Sequence, residues 1–569
     1  MEFETKIVGG TIVDGTGKPG FRGDIGIAGG KIVAVGKADG EARREIDAGG
    51  LTVAPGFVDV HTHYDAQVMW DRMLSISPWH GVTTVVMGNC GFSVAPTRRE
   101  HRELIMQTLE NVEGMSIEAL RAGLGSDWPF ESFPEYLDAV EGRGSAINVA
   151  ALVGHTAVRL SVMGPEATER EATAEEIAAM SRIVREAMDA GAVGFSTSAS
   201  RTHVGYRGKP VPSRLAAFGE MRALAQALGE SGTGVFQATV GKNLFHEEFA
   251  EIYAACGRPV TWTALLTGFF GPESHKEHLA KAQALRATGA NVVPQVACRP
   301  IVFEFTYEAP FIFEGMRLFE PVSAADREGK KAIYRDPEFR AALKEKLALG
   351  RGSALSGWAE RADICHLPGH PELEERPLAE VARERGVEPA DLALDFALES
   401  DLAARFRFGV LNTDEDEVET LLKAPGTIIA LSDAGAHASQ LCDACYSTHL
   451  LGRWVRERGA FTLEWAVHKL TQEPAELFGI ANRGVLAPGM AADVVLFDRS
   501  TVAPSKLRRV HDLPAGADRL VADAEGIHSV IVNGTEIRRD NQDLLDPQGP
   551  LPGALLRNGA ARESVRRAS

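Results

Sequence analysis

The chain has 569 residues, 44% apolar and 24% charged, a composition that fits a folded globular protein with one large domain and a smaller one. Its formal charge of −18 leaves no excess of Lys and Arg to track a phosphate backbone, so nucleic acid is excluded as an expected partner. Six cysteines (90, 256, 298, 365, 442 and 445) are too scattered for a disulfide framework, and no apolar run is long enough to span a membrane.

The first residues, "MEFETKIVGG", lack the basic and apolar regions of a signal peptide, so a cytoplasmic location is expected. Next, "GDIGIAGGKIVAVG" alternates apolar with small or polar positions about Gly29-Gly30, the signature of a two-residue hairpin. The far end repeats this style in "AADVVLFD" and in "HSVIVNGTEI", hinged at Asn533-Gly534. The two ends, residues 1–55 and 485–569, are therefore read as one small β-sandwich domain.

Residues 56–484 alternate strand and helix. Eight strand candidates follow in order: "GFVDVHTH", "GVTTVVMGN", "INVAALVGH", "AVGFSTS", "TGVFQAT", "RPVTWTALL", "NVVPQVA" and "GTIIALSD". Most are followed by helical sequence. The clearest helix runs from the capping-box pair Thr173 and Glu176, through apolar residues at helical spacing, to Gly191. Eight parallel strands with crossovers predict a (β/α)8 TIM barrel in the α/β class, with its site at the C-terminal strand ends. Between the seventh and eighth strands lies an insertion, roughly 301–425, rich in charge and helix formers. It is read as a lid over the site or a solvated decoration.

In the first of these strands, "PGFVDVHTHYD" places His61 and His63 two residues apart, on one face, with Thr62 on the other. If that face is the barrel interior, two imidazoles stand where they can hold a divalent metal. His155 ends the third strand and is expected to face the mouth; a hydrogen-bonded core histidine is the other reading. Arg299, past the seventh strand, could clasp a substrate carboxylate or form a structural ion pair. His275 and His278 read as exposed helix residues. The Cys442-x-x-Cys445 pair lacks the second pair that a structural zinc site needs.

The stretches "PGFVDVHTHYDAQ", "HGVTTVVMGNCGFSVAP", "SDWPFESFPEYLDAV", "GHTAVR", "GAVGFSTS" and "RGVLAPGMAADVVLFD" together resemble the amidohydrolase superfamily, and within it the D-aminoacylase (N-acyl-D-amino-acid deacylase) branch. The resemblance covers nearly the whole chain and is weakest in the insertion. It implies a barrel with a β-sandwich built from both ends, one or two divalent metals, commonly zinc, and hydrolysis of an amide bond. His61 and His63 match the first-strand ligands, Cys90 a thiolate ligand on the second strand, and Asp433 the last-strand aspartate that binds metal and takes the proton of the attacking water. The histidines that the family places on the fifth and sixth strands have no match. Gln237 stands near the first position, and "RPVTWTALLTG" has no histidine.

The expected site is therefore one zinc-type ion on His61, His63, Cys90 and Asp433, with Asp433 as general base and then acid. His155, Arg299 and Gln237 are expected to contact a small-molecule substrate, an N-acyl amino acid or related acylated amine. A cyclic amide or imide hydrolase on the same scaffold is the alternative enzyme, and a barrel without metal serving as a binding subunit is the non-catalytic one. A homo-oligomer is left open.

Overall fold

The computed structural model describes residues 2–348, 355 and 357–561. The parts of the expected terminal domain at 562–569 and of the insertion at 349–354 and 356 lie outside the described residues.

The eight strand candidates form a parallel barrel: β1 (Phe57–Asp59), β2 (Val82–Met87), β3 (Asn148–Ala151, continued by Val153–Gly154), β4 (Gly194–Ser198), β5 (Val235–Thr239), β6 (Val260–Thr263), β7 (Val292–Val296) and β8 (Ile428–Ile429). Each pairs in parallel with the next in sequence. The ring closes at the mouth, where Thr62 bridges to Ala434 and the His63 N–H donates to the Ala434 carbonyl at 2.7 Å. Val82–Met87, apolar apart from Thr83 and Thr84, is buried along its whole length, as expected of a strand covered on both faces. The helix Ala174–Ala190 opens with the reciprocal Thr173–Glu176 capping box and ends at Gly191, where φ is +114°.

Both chain ends build one nine-stranded mixed sheet. Thr52–Pro55 runs antiparallel to Val494–Phe497, which joins the N-terminal strands to the C-terminal ones. The hairpin turns at Gly29-Gly30 and Asn533-Gly534 have positive φ at both central residues, the geometry that favours Gly and Asn there.

The insertion differs from its helical reading. Besides its helices it contains a four-stranded antiparallel sheet in which Ile301–Thr306 pairs with Arg405–Leu411. Phe406 and Phe408 face a separate apolar core with Phe305, Tyr307, Tyr334 and Trp358, while Arg405 and Arg407 alternate to the other face. The sheet's first strand brings Phe303 edge-on to His437, beside the barrel mouth, with ring centroids 6.0 Å apart. His275 is also not exposed. It lies buried at the start of the helix Ser274–Ala287, 3.1 Å from Glu417 on a neighbouring helix.

Candidate metal centre

Past β1 the backbone is pinned on both sides. Thr62 donates its N–H to Val86 on one side, and His63 bonds Ala434 on the other. That pinning sends both imidazoles into the barrel, where His61 is 1% and His63 8% exposed. The Nδ1 of His61 lies 2.6 Å from the Oε1 of Gln295, whose Nε2 in turn donates to Thr261 at 3.1 Å. With Gln295 Oε1 as the acceptor, the proton sits on Nδ1 and the Nε2 of His61 is left to offer its lone pair to the cluster. That Nε2 is 3.3 Å from the Sγ of Cys90 and 3.3 Å from Oδ1 of Asp433.

Cys90 reaches the cluster through a left-handed backbone, φ +57°, in the turn after β2. A non-glycine residue there costs about 1–3 kcal/mol, which the surroundings must offset. They do so in part through Gln237, whose Oε1 accepts the Cys90 N–H at 2.8 Å. Gly88, just before, cannot carry a side chain, because a Cβ would stand 2.2 Å from the Leu152 carbonyl oxygen. Asp433 enters from the loop after β8 with φ +44° and a side chain 23% exposed, facing the mouth. Its Oδ1 is 3.8 Å from the Nε2 of His63. A cavity of about 30 Å³ beside Asp433 and Gly435 has room for a water molecule.

His61, His63 and Cys90 are the one group of three His, Cys, Asp or Glu among the described residues whose ligand atoms all lie within 4.8 Å of one another. Burial alone would raise the Cys90 thiol, but the two imidazoles outweigh it and bring it down to about 6. Burial opposes charge on His63 as well, yet Glu113 and Cys90 raise it well above an ordinary histidine. Two imidazoles turned toward a thiolate and a carboxylate are a donor set that fits a divalent cation, which would replace those protons. Burial raises Asp59 and Asp65 around the cluster to about 7.

The remaining expected site residues lie elsewhere. His155 does not face the mouth. It opens the helix His155–Met163 with its ring fully buried, Nδ1 2.8 Å from Thr197 Oγ1 and Nε2 2.8 Å from Glu220, which Arg159 also holds. Arg299 turns into the protein, donating to the Cys442 carbonyl at 2.9 Å, touching Cys445 Sγ and lying 3.5 Å from Asp443. Its guanidinium is thereby taken by structural partners. Gln237 is fully buried beneath Cys90. On the sides of β5 and β6 that face inward, Gln237, Thr239, Thr261 and Thr263 stand in place of histidines, and the hydroxyls of Thr239 and Thr263 lie 3.4 Å apart.

Two buried partners of the cluster escaped the sequence reading. Gln295 had a signal, a polar residue inside the apolar strand Val292–Val296. Glu113, at the end of the helix α1 (Arg102–Glu113), had none. Its Oε1 lies 3.1 Å from the Nδ1 of His63.

Comparison with known proteins gives a consistent result. The model of the family described as "Amidohydrolase family" matches residues 44–330 and 340–537. A D-aminoacylase of Alcaligenes xylosoxydans xylosoxydans is 31% identical over 544 residues, covering 94% of each chain. An N-acyl-D-glutamate deacylase of the same organism is 32% identical over 575 residues, covering 98% of each. The solved structure of an N-acyl-D-glutamate deacylase from Bordetella bronchiseptica, complexed with zinc and a phosphonate mimic of the tetrahedral intermediate, superposes with a TM-score of 0.64 at 30% identity, covering 98% of this chain and 100% of that one.

Proposed function

The chain belongs to the amidohydrolase family and is a metal-dependent hydrolase of an amide C–N bond, and on that premise we propose that its substrate is an N-acyl-D-amino acid. The observation that carries the reading is the convergence of His61, His63 and Cys90 at the barrel mouth, with Asp433 3.3 Å from His61, in a chain that aligns along its length with deacylases. His61, His63 and Cys90 would hold one divalent ion, with Asp433 beside it. When bound, the ion supplies the Lewis acidity that ionises water near neutral pH and polarises a carbonyl.

Asp433 has the position for the proton work. Its carboxylate faces the mouth, accepts the proton of the attacking water and returns it to the leaving nitrogen. The water oxygen adds to the acyl carbon, the C–N bond breaks, and a carboxylic acid and a free amino acid leave. Gln295 and Gln237 touch no substrate in this scheme; they orient His61 and Cys90.

Among the described residues no helix is long and apolar enough to cross a membrane. The six free cysteines and the acidic balance support a cytoplasmic enzyme without a nucleic-acid partner. Incubating zinc-loaded protein with N-acetyl-D- and N-acetyl-L-amino acids beside cyclic imides tests the substrate. Free amine released from the D-series is expected. Ring opening of an imide without amine release would contradict the proposal.

A further inference from the structure

We infer that Glu113 is the positioning carboxylate of the metal centre: it holds the Nδ1–H of His63 and so turns the Nε2 of that ring toward the donor cluster, as Gln295 does for His61. This rests on the metal reading proposed above.

The two imidazoles share one requirement. Each must present one nitrogen inward and have the other held from behind. For His61 the arrangement is complete, with Nδ1 on Gln295 and Nε2 facing Cys90 and Asp433. For His63, Nε2 faces Asp433 at 3.8 Å, and Nδ1 faces only Glu113 at 3.1 Å. The His63 Nδ1 and the Glu113 Oε1 are buried without an aligned hydrogen bond to any described group, each other included, so the two face one another as an ion pair at 3.1 Å, and both side chains are 7% exposed. A carboxylate taken that far out of water costs several kcal/mol unless a charged or donating partner meets it. His63 is the one cationic or titratable basic side chain within ion-pair distance of it among the described residues.

The backbone fixes the carboxylate in place. Glu113 is the last residue of α1, Gly114 ends the helix at φ +61°, and the Glu113 carbonyl accepts the N–H of His437 from the loop that carries Asp433. One short segment thus ties the partner of His63 to the loop of the general base. Histidines that bind metal commonly donate their other ring N–H to a carboxylate, which fixes the tautomer and raises donor strength. An anionic partner behind His63 and a neutral amide behind His61 make the two rings unequal, with His63 the stronger donor.

The test compares wild type, Glu113→Gln and Glu113→Leu by chelator competition with zinc and by the visible spectrum of the cobalt(II) protein. Zinc affinity should fall about tenfold in Glu113→Gln and up to about 100-fold in Glu113→Leu. The cobalt bands should shift but keep their intensity, because no ligand is lost. Metal-free Glu113→Gln, which is isosteric, should unfold no earlier than wild type, which separates the effect from a folding defect. Zinc affinity within about twofold of wild type in Glu113→Leu would overturn the inference. So would a cobalt spectrum with changed coordination number, which would make Glu113 a ligand. Wild type that binds no zinc would instead remove the metal reading itself.

Discussion

The barrel carries two buried clusters of histidine and carboxylate, and they are built on opposite rules. Around His155 each charge has a complementary partner: Thr197 and Glu220 take both ring nitrogens, and Arg159 balances the glutamate. Around His61 and His63, two imidazole nitrogens, a thiol and a carboxylate, all of them potential metal ligands, converge on one point, with no Lys or Arg within ion-pair distance among the described residues. The titrations follow. Burial lowers His155, though Glu220 opposes it, whereas the acidic neighbours raise His63 despite burial. A saturated network holds the fold; an unsaturated one is a place where something else binds.

Breaking each cluster should therefore have different consequences. The largest effect is expected at the centre itself, where His63→Ala should remove both bound metal and turnover, read by metal analysis and a progress curve. Next, Asp433→Asn should keep its metal but lose about 10²–10⁴ in kcat, as removal of a general base does. His155→Gln inverts the pattern. It should lose roughly 3–5 kcal/mol of stability in denaturant unfolding, as when one partner of a buried pair is removed, while holding its metal.

The smallest effect sharpens the comparison through pH. Burial depresses His80 and His449 to about 3. A histidine whose folded pKa lies below its unfolded one contributes stability above pH 6.5 and loses it as pH falls toward 3. Each such residue adds up to about 1.4 kcal/mol per pH unit to the acid-side slope. Replacing His80 with Asn should flatten that slope by about one proton in urea titrations at stepped pH.

Much of this was legible in the chain because strand ends are short-range objects. "PGFVDVHTH", "GNCG" and "IIALSD" each place their functional residue at the end of an apolar run, and the barrel rule then assembles them. His155 shows where that rule misleads. The residue already opens a helix, and its buried ring is held between Thr197 of β4 and Glu220. The sheet of the insertion was hidden because helix formers dominate its composition, although "RFRFGVL" alternates clearly. Glu113 was beyond reach, since nothing local distinguishes one more glutamate at a helix end. Only the packing of α1 against the loop after β8 gives it a role.

One half of the barrel mouth is expected to hold a single divalent ion without histidines on β5 and β6. The most direct test is metal content after extensive dialysis of zinc-loaded protein, with His63→Ala alongside. About one equivalent in wild type and almost none in the variant is the predicted result. Below roughly 0.2 equivalents in wild type, or equal content in both proteins, would contradict it.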